Sequence, residues 1–451
     1  MARTLAIASL LAATLAAQPA PSGAVLYQNA RLISGDGGPA LERSALLVEG
    51  GRIVGAGSAG SVTAPAGAAR VDLTGKTIMP ALIGTHVHPG FQRGLSYAAA
   101  NFTRDTVIED LNRALFFGVA AVQSHGIEAG DVLYQVRADQ QAGRLGGARL
   151  LVAGRGIGAP NAGPGGAIYA GIAYEITTAA DARRSVEELA ARKVDIVKIW
   201  VDDRNGRAPK LSPALYRAVI DEAHQRGLRV SAHVFYHEDA VDLVAAGVDA
   251  FAHLVRDKEM DDALVAAIVK KNVYVMGNLT TPLRPTYASL PPWLTAGDPM
   301  TALVTASVPA AVVGRMQAYY ARRDPESVKG ARQRYGILQR SLARLSKAGA
   351  KVVLGADTGL EDHLFGFAEQ LELQAMVEAG LTPAQGIVAA TSRAAEFLHL
   401  AGAGSLQPGK RADFLVLDAN PLDDITNTRR ISRLVINGAT IDRAALVAKY
   451  R

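Results

Sequence analysis

The chain has 451 residues, 49% hydrophobic and 20% charged, with a net charge of +6; this is globular composition with ample material for a core. Its basic residues are scattered and form no Lys/Arg block, so nucleic-acid binding is not indicated. There is no cysteine, which excludes disulfides and a Cys-anchored lipoprotein and leaves only nitrogen and oxygen donors for any metal.

Residues 1–20 stand apart. Met1-Ala2-Arg3 gives a short basic start, Leu5 to Ala17 is an unbroken run of apolar and small residues, and Ala16, Ala17 and Ala20 precede Pro21-Ser22-Gly23. This is the layout of a secretory signal peptide, with cleavage expected between Ala16 and Ala20 and export to a periplasm or the outside. A membrane span needs ~20 apolar residues, and this run is too short.

Residues 24–80 read as short strands with glycine turns. Ala24–Tyr27 is followed by Ala45–Glu49, then Gly50-Gly51, then Arg52–Gly55, the signature of a hairpin. The far end, 404–451, has the same character in Ala412–Asp418 and Ser432–Gly438. Neither end has enough strands for a stable core of its own, so the two are expected to build one small β-sandwich.

Between them, in 81–403, apolar runs alternate with helix-period segments. The strands are expected at Ile78–His86, Gly118–Gln123, Arg149–Ala153, Asp195–Trp200, Leu228–His233, Asp249–His253, Asn272–Met276 and Lys351–Gly355. Asp181–Arg192, Pro213–Arg226 and Glu238–Ala246 carry apolar residues at helical spacing with charged faces. Eight strands, most followed by a helix, predict an α/β fold of the (β/α)8 TIM-barrel type. No Gly-rich phosphate turn follows the first strand, as an open dinucleotide-binding sheet would require. The stretch 280–346, with Pro282, Pro285, Pro291, Pro292 and Pro299 near its start, reads as a long irregular insertion beside the barrel mouth.

Strand C-termini converge on one face of such a barrel, and their residues carry chemistry. The first strand ends in His86 and His88, which alternate onto one side of the chain and can converge on a divalent cation. The fourth holds Lys198 inside an apolar run, the fifth ends in His233, the sixth in His253 and the eighth in Asp357. Each has a bland reading alone: a core histidine, a paired lysine, a helix-capping aspartate. Those readings do not jointly produce four histidines, a lysine and an aspartate at strand ends, and a metal site does.

With these residues the chain resembles the amidohydrolase superfamily, in its imidazolonepropionase-like and dipeptidase-like members. Glu378–Ala384, Ala390-Thr391-Ser392 and Gly404–Asp413 are similar to that group's C-terminal signature. The resemblance implies two divalent metal ions, most often zinc. His86, His88 and Asp357 would hold the buried ion, His233 and His253 the outer one. Lys198 would bridge both as a carbamate formed with carbon dioxide. A metal-bridging hydroxide would then attack, with Asp357 taking its proton and passing it to the leaving nitrogen.

Substrate contacts are expected from His125, Arg155 and Tyr236, which follow the second, third and fifth strands. His237 and His363 read as solvated loop residues, and His224 and His399 as structural. One feature departs from dipeptidase-like relatives, which often carry Gly-Gly-His after the third strand. Here Gly163-Pro164-Gly165-Gly166-Ala167 has no histidine. Imidazolonepropionases use one metal and lack the bridging lysine, so Lys198 argues against that activity too. The expected function is an exported hydrolase of an amide, cyclic amide or capped amino acid in a small-molecule substrate. The alternatives are an Xaa-Pro or Xaa-Arg/Lys dipeptidase, a lactone or phosphoester hydrolase, and a non-catalytic periplasmic binding protein. Oligomeric state is left open, a homo-oligomer included.

Overall fold

A computed structural model describes residues 23–128, 130–164, 169–321, 323–360 and 363–450. The signal-peptide segment 1–20 and most of the Gly163–Ala167 departure lie outside the described residues. The fold is mixed α/β. Its eight main parallel strands are Leu82–Val87, Val119–Ser124, Arg149–Leu151, Val197–Val201, Val230–Val234, Ala250–Phe251, Tyr274–Met276 and Lys351–Val353, each within a few residues of its expected place. The first three form one sheet and the other five, with two short flanking strands, form another. Hydrogen bonds cross between the sheets at both edges. Thr85 N donates to Leu354 O (2.8 Å) and His88 N to Thr358 O (2.7 Å), while Asp195 N donates to Val152 O (2.7 Å).

Strand alternation sorts the side chains into two cores. Val197, Ile199, Val201, Val230, Ala232 and Val234 face outward into a large cluster shared with the helices. On the opposite face, Ile83, Ala121, Leu151, Ile196, Ala250, Tyr274 and Val353 form a smaller cluster that Phe397 plugs. Lys198 and Trp200 continue the Ile196 row, and Ser231 and His233 lie beside them in register. The polar residues thus sit on the inner face, toward the strand C-termini.

The run Ile78–His86 is not one strand. Thr77–Pro80 pairs antiparallel with Phe414–Leu417, and only Leu82–Val87 enters the parallel sheet; Ala81 is the hand-over, its N–H donating to Asp413 O (3.1 Å). Strands from both chain ends share a core of Tyr27, Leu46, Ile53, Ile78, Phe414 and Val435. The Gly50-Gly51 hairpin forms as expected between Ser44–Glu49 and Arg52–Ser58, both glycines with positive φ.

The segment 280–346 is helical rather than irregular, with Pro299–Ser307, Ala310–Ala321 and Pro325–Lys347 as helices. Two of its prolines start helices instead of breaking them. Pro299 and Pro325 occupy first-turn positions behind Asp298 and Asp324, whose side chains cap Met300 N and Ser327 N. Among the described residues no helix is long and apolar enough to cross a membrane.

Candidate metal centre

His86, His88, Lys198, His233, His253 and Asp357 are all buried. The first strand carries one extra residue between the pairs Gly84↔Val122 and Val87↔Ser124, a bulge that re-aims the strand end. His86 Nε2 lies 3.2 Å from His88 Nε2. Asp357 Oδ1 is 3.3 Å from His86 Nε2 and 3.0 Å from His88 Nε2. Donor atoms of His86, His253 and Asp357 all lie within 4.8 Å of one another. The His233 and His253 rings touch edge to face, with centroids 4.6 Å apart.

Neighbours fix where the protons sit. His86 Nδ1 faces Ala252 O at 3.2 Å, and a carbonyl accepts, so Nδ1 carries the proton and Nε2 keeps its lone pair for the centre. His233 Nε2 faces Asp202 Oδ2 at 2.9 Å, which leaves Nδ1 free by the same logic. Asn278, with Oδ1 turned toward donors, accepts from His86 Nδ1 (3.2 Å) and Asp357 N (2.9 Å). Asp357 has φ +56, held by the Thr358 bridge to the first strand. The turn needs Gly359, because a Cβ there would collide with His88 O.

Burial and charge act together on these groups. Desolvation pulls Lys198 down to about 7 against the opposing pull of Asp357. Burial first, then Lys198, holds His86 well below an ordinary imidazole. Burial first, then Arg256, does the same to His253. His233 falls to about 4, chiefly by burial. Asp357 is pushed up by burial, but His86 and His88 outweigh this and keep it well below the usual carboxylate range. His86, His233 and His253 are therefore held toward the neutral imidazole and Asp357 toward the carboxylate, the forms that bind a cation.

The other expected site residues are placed differently. His125 is fully buried, its ring 4.3 Å from that of His86 and its Nε2 2.9 Å from Ser231 Oγ, so it backs the centre. The Arg155 guanidinium donates to Gly171 O (3.1 Å) and Ala173 O (3.4 Å) and stacks over Tyr174; it braces the loop after the third strand. The Tyr236 hydroxyl donates to Asp203 Oδ1 (2.8 Å) at the rim. His237 and His363 are buried, not solvated. His237 Nε2 lies 3.2 Å from Asp261 Oδ2, and His363 Nδ1 lies 3.2 Å from Asp357 O, directly behind the centre. His224 pairs with Asp249 at 2.8 Å, a structural role as expected. Sequence reasoning passed over Asp202, Arg256 and Asn278. All three follow apolar strands by a few positions, the criterion that found the histidines; Asp202 and Asn278 meet partners on other strands, whereas Arg256 meets His253 of its own.

A profile of the amidohydrolase family matches residues 77–441, and the chain belongs to that family. An uncharacterized protein of Mycobacterium tuberculosis is 35% identical over 109 residues, 23% of this chain and 28% of that one. Ochratoxinase of Aspergillus niger is 25% identical over 255 residues, 54% of this chain and 45% of the enzyme. The chain thus aligns with less than half the length of these curated relatives. Among solved structures, a putative prolidase from Bifidobacterium longum superposes with TM-score 0.72 at 24% identity, covering 95% of this chain and 99% of that one.

Proposed function

We propose that the protein is a metal-dependent hydrolase of a carbon–nitrogen bond in a small molecule: an amide, cyclic amide or capped amino acid. One observation carries this reading. Two imidazole nitrogens and a carboxylate oxygen face each other at 3.0–3.3 Å, with His253 completing the group. Lone pairs this close repel unless a proton or cation lies among them, and a nitrogen–oxygen donor set suits zinc and its first-row neighbours.

His86, His88 and Asp357 would hold one cation, and His233 and His253 a second. Lys198 would lie between them. Its amine, drawn down to about 7, is partly neutral and can add carbon dioxide with loss of a proton. Such a carbamate would replace a cation that the metals repel with an anion able to lie between them. Bound cations supply a lowered pKa for water and polarise a substrate carbonyl. Asp357 would accept a proton from the attacking water and return it to the leaving nitrogen. Asp202, Ala252 O and Asn278 keep the imidazoles in one orientation.

We read residues 81–403 as a closed eight-strand barrel whose strand ends gather these groups; the hydrogen bonds at both sheet edges support closure. The strands of 24–80 and 404–451 would form the sandwich beside it, and residues 1–20 an export signal.

The test is hydrolysis by the purified protein, zinc added, of N-acyl amino acids, dipeptides including Xaa-Pro and Xaa-Arg/Lys, and lactones. Amine release that a chelator abolishes and zinc restores is expected. Lactone turnover exceeding amide turnover contradicts the reading, and tight metal binding with no hydrolysis favours a binding protein.

A further inference from the structure

Among the described residues Asp202, Asp203 and Asp357 are already engaged, and one cation beside them is not. Asp202 Oδ2 lies 3.2 Å from Arg204 Nη1 and 2.9 Å from His233 Nε2. Asp357 faces His88 and His86, and Asp203 accepts from Tyr236. Arg256 is the exception. It follows the sixth strand, its backbone N–H donates to Phe235 O (2.8 Å), and its Nη2 lies 2.9 Å from His253 Nδ1. Among the described residues no carboxylate lies within ion-pair distance of its guanidinium.

Arg256 is half-buried as a residue, and desolvation is the main influence on its guanidinium. Asp357 and Asp202 act on it only at longer range, a desolvated cation with no direct ion pair is costly, and four of its five N–H donors have no partner among the described side chains. A planar fork of this kind matches a carboxylate, two parallel N–H···O bonds at once.

We propose that Arg256 anchors a carboxylate of the substrate, so that the bond cleaved is an amide whose leaving amine or acyl group carries a free carboxylate, as in an N-acyl amino acid or dipeptide. This rests on the hydrolase reading for the bond cleaved, but not for the anion bound. Arg204 pairs with Asp202, so that this carboxylate does not repel the incoming one. The geometry assigns Arg256 to binding and not to bond cleavage.

The experiment is calorimetric titration of the zinc-loaded protein with N-acetyl amino acids bearing aliphatic, aromatic, proline and basic side chains, each against its own amide. At least one acid should bind more tightly than its amide by on the order of 100-fold, the size expected for two charged hydrogen bonds. Arg256→Gln should abolish that preference while leaving the amide's affinity alone, and Arg256→Lys should restore only part of it. If substrates are turned over, the loss appears in KM more than in kcat. Equal binding of acid and amide, binding by no acid, or an Arg256→Gln protein that keeps the preference overturns the anchor. Selective acid binding without any hydrolysis upholds the anchor and rejects the hydrolase; hydrolysis indifferent to the carboxylate does the reverse. A circular dichroism spectrum and melting curve unchanged in Arg256→Lys separate these outcomes from misfolding.

Discussion

Asp357 shows how much one residue does. Its carboxylate meets two imidazoles at 3.0 and 3.3 Å, and its own backbone sits in the left-handed region, which a non-glycine residue adopts only where surrounding contacts enforce it. Asp357→Asn keeps the shape and one donor oxygen but removes the base. Turnover should fall about 10²–10⁴-fold, the range for a lost general acid–base, with metal content reduced far less. Parallel kinetics and metal analysis check this; unchanged turnover would rule out the proton role. The six candidate donors were legible in the sequence because each ends or sits within an apolar run. Their partners were not. Asp202 meets His233 across 31 positions, and no spacing rule links residues so far apart. The burial of His363 was equally hidden, since it depends on the loop folding back onto Asp357 O.

At the scale of an element, the helix Phe367–Glu378 acts as a clamp. Glu369 accepts from Thr358 Oγ1 (2.8 Å) and Gly366 N (2.7 Å), and Glu372, one turn later, accepts from Leu279 N (3.0 Å) and Thr280 N (2.8 Å). The two side chains hold the segments that carry Asp357 and Asn278. Burial lifts Glu372 to about 7. Its folded value thus exceeds the unfolded one near 4.5, so its contribution to stability is complete below 4.5 and declines as pH rises through 7. Glu372→Gln, which cannot titrate and turns an amide N–H toward a backbone N–H, should cost about 1–3 kcal/mol. The deficit should be larger at pH 5 than at pH 8, read from urea midpoints; a deficit that grows with pH would contradict the assignment. Nothing in the sequence singles out these glutamates. In Phe367-Ala368-Glu369-Gln370-Leu371-Glu372 polar and apolar residues alternate as on a solvated helix, and only long-range packing shows the polar ones buried.

For the whole molecule, the eight parallel strands and the β-rich chain ends were readable because their hydrophobic periodicity is strong. What escaped was the place where one sheet hands over to another, at Ala81, and the helical character of 280–346. Each error has its own cause. An apolar run carries no mark of which sheet it joins, and proline reads as a breaker unless its place in a first helical turn is seen. The architecture matters because it gathers side chains from the first, fourth, fifth, sixth and eighth strands and the segments after them at one end of the fold.

Metal content per chain, measured by inductively coupled plasma mass spectrometry after zinc loading and desalting, tests that convergence most directly. The proposed centre predicts two ions in the wild type and at most one in Lys198→Ala, with the circular dichroism spectrum unchanged. A wild type that retains no metal, or a Lys198→Ala protein that keeps both ions, would contradict it.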